Sequence, residues 1–430
     1  MGAEGLNIAI IGGGWAGLAA AVRATEAGHR VTLLEMAHQW GGRARRVDVD
    51  GLALDNGQHI LIGAYARTLA LMASVGADIS GSLHRQPLEL RYPDGRGLRL
   101  PAGPAWLGFA IAVAGCVGWG WRDRLALLRT AGGWAMQGFT CTPNTTVAAL
   151  CRALPPAVRQ LLIDPLCVAA LNTRAQDASA AVFLRVLRDA LFSGPGSADL
   201  LLPRRPLGAL LPEPATAWLK ARGALLRTGA RASQLSREGQ RWLVDGDAHD
   251  AVILACSAHE AARLADHHAP AWAACARAMV YEPIVTVYLQ CPSARLRCTM
   301  MTLVDGPEAP AQFVFDHGAL GGTPGVFAFV VSGASVWVER GLDATGQAVL
   351  SQANRAFAAG TWPKPPILLR VLAEKRATFR CTPGLARPQT RLAKGLVAAG
   401  DYIAGPYPAT LEGAVRSGEA AVQMLTQSRS

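Results

Sequence analysis

The chain has 430 residues, 51% of hydrophobic type, enough to bury a sizeable core, and its length suggests two or three domains. Only 17% are charged and mean hydropathy is +0.21, which excludes a disordered chain and calls for a greasy interior, an apolar channel or a membrane-facing surface. The net charge of +11 favours anionic partners, but the arginines are dispersed and no nucleic-acid motif stands among them, so nucleic acid is not an expected partner.

In chain order, Asn7-Ile8-Ala9-Ile10-Ile11 reads as a short buried strand. Gly12-Gly13-Gly14-Trp15-Ala16-Gly17 follows and opens an alanine-rich helix that runs to about Ala27 and stops at Gly28, a suitable C-cap. Val31 to Leu34 form a second strand that Glu35 ends, completing a βαβ unit. Residues 45–49 and 52–54 read as strands around an Asp50-Gly51 turn, followed by the polar cluster Asp55-Asn56-Gly57-Gln58-His59. Leu100 to Trp121 contains no charge and includes Trp106, Phe109, Trp119 and Trp121. Helical sequence continues to about 192, and Pro203, Pro206, Pro212 and Pro214 punctuate what comes next. Residues 216–255 predict a helix, strands around 230–235 and 241–245, and an apolar strand at 251–255. Residues 284–290 and 325–338 suggest a second sheet. Leu396 to Gly400 form a last strand, followed by Asp401, a Gly/Pro loop and a helix from about Thr410.

This order predicts an α/β protein. Nucleotide-binding sequence at 1–85, 207–260 and 376–430 forms one discontinuous domain, and an α+β substrate domain is inserted as 86–206 and 261–375. The pattern Gly12-x-Gly14-x-x-Gly17 follows a strand, opens a helix and precedes an acidic residue, as a dinucleotide fingerprint requires. Gly12 permits the tight turn, Gly14 lets the backbone approach a pyrophosphate at the helix start with Trp15 and Ala16, and Gly17 lets helix and strand pack closely. Glu35 suits ribose hydroxyls and disfavours a 2′-phosphate. No second fingerprint is present, so an external electron donor is expected. The nine cysteines include no Cys-x-x-Cys pair, so no metal site is expected; a reducing cytosol suits them, and no secretory signal is read at the N-terminus.

Gly41-Gly42-Arg43-Ala44-Arg45 and Gly400-Asp401, with the helix start Tyr407-Pro408-Ala409-Thr410-Leu411-Glu412-Gly413-Ala414, resemble the flavin motifs of the amine oxidase and phytoene desaturase superfamily. The resemblance implies FAD held by a Rossmann-like domain of that type. Gly42 and Arg43 would serve its pyrophosphate and flavin side, and Gly400 and Asp401 the ribityl-pyrophosphate region. Thr410 and Leu411 would face the flavin pyrimidine side, and a strand near Ala232 would pass the adenine. Asp55 to Tyr65 (with Gly57 and Gln58), Asp164 to Thr173 and Pro408 to Gly418 are similar to the hydroxysqualene dehydroxylases, bacterial enzymes that reduce hydroxysqualene to squalene with reduced FAD and release water. What this implies is a C30 isoprenoid substrate, a step in squalene and hopanoid biosynthesis, and a cytoplasmic enzyme peripherally attached to a membrane surface. A carotenoid desaturase and a non-enzymatic prenyl-binding protein of the same fold are the alternatives.

Several residues have two readings. His59 is either the catalytic acid at the flavin face or a structural histidine tying the hairpin to the flavin loop. Asp55 reads as structural, and Asn172 as a helix cap or a pocket residue. The uncharged 100–121 stretch reads as an interfacial helix or channel wall, a membrane span, or a buried helix.

Overall fold

The computed structural model describes residues 5–49, 51–357 and 361–427. Its first strand, Asn7–Ile11, is apolar because it is buried from Ile8 onward and lies inside a six-stranded sheet. The order across that sheet is Leu225–Arg227, Arg30–Leu34, Asn7–Ile11, Ala251–Leu254, Leu396–Ala398 and Arg391–Ala393; the first five are parallel and the last antiparallel. Small residues let the N-terminal helix Trp15–Glu26 approach the C-terminal helix Leu411–Gln427 at backbone distance: a Cβ on Gly418 would sit 2.2 Å from the Ala16 carbonyl oxygen.

A second sheet is antiparallel, in the order Met300–Thr302, Phe313–Asp316, Val326–Val331, Tyr281–Gln290, Ile367–Phe379. Its residues alternate between two cores, as strand geometry dictates. Val285, Val287, Val314, Phe327 and Phe329 pack under the helix Leu342–Ala356. Tyr288, Phe313, Phe315, Ala328 and Val330 belong to the other face, toward the nucleotide-type sheet.

Four expectations change in detail. The strand expected around 230–235 is replaced by two: Leu225–Arg227 joins the parallel sheet, Ala230 and Ala232 lie in the loop after it, and Leu235–Glu238 opens a three-stranded antiparallel sheet with Arg241–Val244 and Asp247–His249. The second-sheet segment 325–338 ends as a strand at Val331; Gly333 turns at φ +60 and Ser335–Arg340 is helical. The uncharged stretch forms only the helix Ala105–Ala114, which ends at Gly115, and a new helix, Trp121–Met136, begins beyond Gly118 at φ +96. Among the described residues no helix is long and apolar enough to cross a membrane. The hairpin strands Arg46–Val49 and Leu52–Asp55 do pair, whereas Asp50 of the expected turn lies outside the described residues. The strand Ile367–Phe379 runs without interruption through the expected boundary at 375/376.

Candidate active site

One long cavity opens between the carboxyl ends of the parallel strands and the inner face of the antiparallel sheet. This is where open α/β sheets place ligands. Glycine builds its nucleotide end. Gly12 turns at φ +114, and a Cβ there would stand 2.5 Å from the Ala255 carbonyl oxygen. Gly14 faces open space: the nearest atom to its Cβ position is Gly42 Cα, at 3.8 Å. The helix that follows has no side-chain cap and no acid in its first turn, leaving its N–H groups and positive dipole to an anion beside Gly14, Trp15 and Ala16. Gly17 is absent from the cavity wall. A Cβ there would lie 1.8 Å from the Gly12 carbonyl oxygen, so its place is in packing rather than at a ligand.

Glu35 is buried at the end of the second strand. Its Oε2 accepts from the Gly13 N–H at 2.7 Å and its Oε1 from the Ala37 N–H at 2.8 Å, so the carboxylate braces the glycine turn and keeps lone pairs toward the cavity. Arg231 and Ala232, in a loop rather than a strand, line the same end with Glu260 of the helix Ala258–Ala265.

Arg43 crosses the middle of the site. It donates to Asp401 Oδ1 at 2.5 Å and to the Ala377 carbonyl at 2.7 Å. Burial pulls its pKa down, but Asp401, Tyr281 and Glu374 together hold the guanidinium above its usual value. Arg43 and Asp401, which the motifs place on separate parts of a flavin, thus meet as one charge-assisted pair on the cavity wall. Gly42, beside Gly14, adopts φ +63.

Thr410 Oγ1 caps the C-terminal helix by accepting from the Gly413 N–H at 2.9 Å, and Leu411 faces the cavity with it. Glu412 turns away: fully buried, it accepts from the N–H groups of Arg67 and Thr68 and so caps the helix Ala66–Ser74. Gly400 is fixed by its N–H to Ser417 Oγ, 3.0 Å.

Gly57, Gln58 and His59 line the stretch between the two ends. His59 Nδ1 lies 3.0 Å from the Gly57 carbonyl oxygen, which can only accept, so Nδ1 carries the proton and Nε2 is an acceptor. Burial pushes its pKa down, the Gly57 bond raises it and Arg43 lowers it further; the net direction is down, and the imidazole is neutral near pH 7. Asp55 is off the cavity. Its Oδ1 accepts from the Leu207 N–H at 2.9 Å, and burial raises its pKa to about 7. Asn172 satisfies both of its readings. It ends the helix Asp164–Leu171 at φ +46, lines the cavity, and binds Glu282, Thr378 and Gly333 through 3.1, 3.0 and 2.7 Å hydrogen bonds.

Other wall residues were not singled out from sequence: Tyr65, Phe313, Phe315, Thr378 and Tyr402. Phe313-x-Phe315 carries a strand-period signal, but the sequence does not say which core it faces. Tyr402 adjoins the Asp401 motif and could have been read from it. Beyond His59 the wall turns apolar, with Val168, Leu171, Ile284, Phe313, Phe315 and Val330.

Two buried polar atoms on this wall, Gln58 Oε1 and the Tyr402 hydroxyl, have no hydrogen-bond partner among the described residues. Together with the uncapped helix start and the open glycine face, they fit a large polar ligand of dinucleotide type. Residues 15–426 match the family of flavin containing amine oxidoreductases. The chain belongs to that family. This flavin oxidoreductase is FAD-dependent and an enzyme. It is similar to the hydroxysqualene dehydroxylase of Rhodopseudomonas palustris, 27% identical over 97% of this chain and 98% of that one. The Sinorhizobium fredii protein of the same name is 29% identical over the same shares. Similarity to the probable zeta-carotene desaturase of Synechococcus elongatus, 40% identical, spans only 17% of this chain and 15% of that one. The fold is that of an oxidoreductase from Methanosarcina mazei, with a TM-score of 0.74 at 16% identity over 97% of this chain and all of that one.

Proposed function

We propose that this enzyme reduces an isoprenoid allylic alcohol of the hydroxysqualene type to the hydrocarbon, with release of water. The observation that carries this reading is the continuity of one cavity from a nucleotide-type glycine cradle to a hydrocarbon-type wall. That wall suits a C30 chain, and similarity to dehydroxylases along nearly the whole chain supports the reductive direction over desaturation. Residues 1–85, 207–260 and 376–430 form the FAD-binding unit in this reading, and 86–206 with 261–375 the substrate unit. Gly12, Gly14, Trp15 and Ala16 hold the pyrophosphate. Glu35 and Ala232 serve the adenosine. Gly42, Arg43, Gly57, Gln58, Gly400, Asp401, Thr410 and Leu411 surround the flavin half.

Reduced FAD, when bound, supplies the hydride. The chain's own groups do the rest. The apolar wall excludes water and would make charge separation costly. Phe313 and Phe315, aromatic residues of that wall, would stabilise the cation left when the C–O bond breaks. His59 Nε2 takes the hydrogen bond of the substrate hydroxyl. Once protonated from solvent, it is a strong acid because its environment disfavours the cation, and it passes that proton to the departing oxygen. One C–O bond would break and one C–H bond form, with the hydroxyl leaving as water and the two electrons supplied by the reduced cofactor. An external donor must then restore them. The enzyme works in the cytoplasm, peripherally attached to a membrane that dissolves its substrate.

The test is anaerobic single turnover of the photoreduced enzyme with hydroxysqualene. Squalene should form at the rate of flavin reoxidation, with one deuterium at the carbon that lost oxygen when flavin N5 carries deuterium. Deuterium-free squalene would exclude direct hydride transfer. Hydrogen abstraction from a phytoene-type substrate by the oxidised enzyme, without this reaction, would favour a desaturase.

A further inference from the structure

Seven of the fifteen exposed large apolar side chains among the described residues fall between 106 and 136, on the helices Ala105–Ala114 and Trp121–Met136 and the loop joining them. The first helix buries Ala105, Gly108, Ala112 and Val113 and shows Leu107 and Ile111 to the outside. On the second, Trp121, Leu125, Arg129 and Met136 share one face by their spacing, opposite buried Leu127 and Trp134. Trp121 is 68% exposed and Met136 87%. A monomeric soluble surface rarely concentrates apolar groups this way.

Basic groups outnumber acids around this corner: Arg96, packed against Gly118, is paired with Asp94, but the helices and their flanks carry an excess of arginine. Residues 101–160 hold five arginines and a single acid, Asp123, which accepts from the Gly120 N–H at 2.9 Å. Arg122, stacked on Trp121 at 5.3 Å, and Arg129 have no ion-pair partner among the described residues. A two-fold dimer through this face would set unpaired arginines near their own copies. An anionic bilayer accepts both features: arginine meets the headgroups while tryptophan and aliphatic side chains enter the interface.

We propose that the corner formed by Trp106, Ile111, Val117, Trp121 and Leu125 is the surface by which the enzyme docks on an anionic lipid bilayer, with Arg122 and Arg129 at the headgroup level. This deepens the membrane attachment in the proposed function and rests on it only for the substrate's origin. The docking is interfacial: the first helix lies along the boundary and does not span it.

The experiment is co-sedimentation of the FAD-loaded full chain with phosphatidylcholine vesicles, with and without phosphatidylglycerol, and involves no turnover. The wild type should bind the anionic vesicles more tightly and its tryptophan emission should shift to the blue. I111E/W121E should bind roughly tenfold or more weakly, while retaining FAD and the wild-type melting temperature. R122Q/R129Q should lose the preference for anionic vesicles and keep residual binding. Failure of the wild type to bind, equal binding by I111E/W121E, or conversion of a wild-type dimer to a monomer by that variant would overturn the proposal. Any of these would leave the dehydroxylation reading to its own test.

Discussion

His59 is neutral near pH 7 because it is buried and held beside Arg43, yet the proposed step needs it to deliver a proton. The sign of the pH effect follows. Its pKa lies below the usual 6.5, so the protonated fraction keeps growing as pH falls through and beyond that value. Single-turnover dehydroxylation should therefore accelerate on acidification below pH 6.5, and His59→Ala should be slow and lose this dependence while retaining FAD. Loss of FAD instead would mark the residue as structural. Glu35 makes a different prediction. Its carboxylate serves two backbone N–H groups as well as a ribose, so Glu35→Ala should weaken FAD binding by roughly 10- to 100-fold. FMN, which lacks the adenosine, should lose less in a fluorescence titration; equal losses would place Glu35 elsewhere. Asp55 links to stability. Its carboxyl is raised from 3.8 to about 7, so the folded state holds the proton more tightly than the unfolded state between those values, and stability falls as pH rises through that window. Asp55→Asn keeps an acceptor for the Leu207 N–H and removes the titration, so its melting temperature should gain on the wild type from pH 4 to 7 and run parallel above. Parallel curves throughout would sink the argument.

At the scale of elements, the glycine turn separates two roles that its motif merges. A Cβ at Gly14 meets nothing closer than 3.8 Å, but it would stand where the pyrophosphate is proposed to lie; a Cβ at Gly17 collides with a backbone oxygen at 1.8 Å. Gly14→Ala should keep the melting temperature of the apoprotein and bind FAD poorly. Gly17→Ala should lose both, at a cost of about 1–3 kcal/mol or more. The first βαβ unit was legible because its strands are buried on both faces and its turn has a steric requirement. The segment 332–338 was not. Val336, Trp337 and Val338 look like strand formers, but Gly333 at positive φ ends the strand, and the segment coils so that Trp337 is buried while Val336 stays exposed. The strand near Ala232 was misplaced for another reason. Only three residues, Leu225–Arg227, pair with Thr32–Leu34, and their position is set by the neighbour's register rather than by local composition. In the site, residues within glycine motifs could be read from the sequence. Phe313, Phe315 and Thr378 could not, because alternation leaves open which of two apolar faces meets the ligand.

At the scale of the whole molecule, the uncharged stretch illustrates how composition and geometry divide the work. Composition marked it as apolar; the backbone ends its one helix at Gly115, turns at Gly118 and starts the next helix only at Trp121, so the apolar side chains on the two helices and their joining loop stay exposed. The sheet order has a further consequence, for the time course of synthesis. Asn7–Ile11 is made before its neighbour Ala251–Leu254, which follows some 240 residues later, and the strand beyond that, Leu396–Ala398, comes some 140 residues later again. Arg43 likewise waits for Asp401. A nascent chain therefore carries its glycine turn for most of translation without the walls that complete the cavity, and pairing at such separations is slow. Cofactor loading thus waits until the strand Leu396–Ala398 and the helix Leu411–Gln427 have left the ribosome. Stalled chains ending before Leu396 should emerge without bound FAD, and chains extended through the C-terminal helix by a linker long enough to clear the exit tunnel should acquire it.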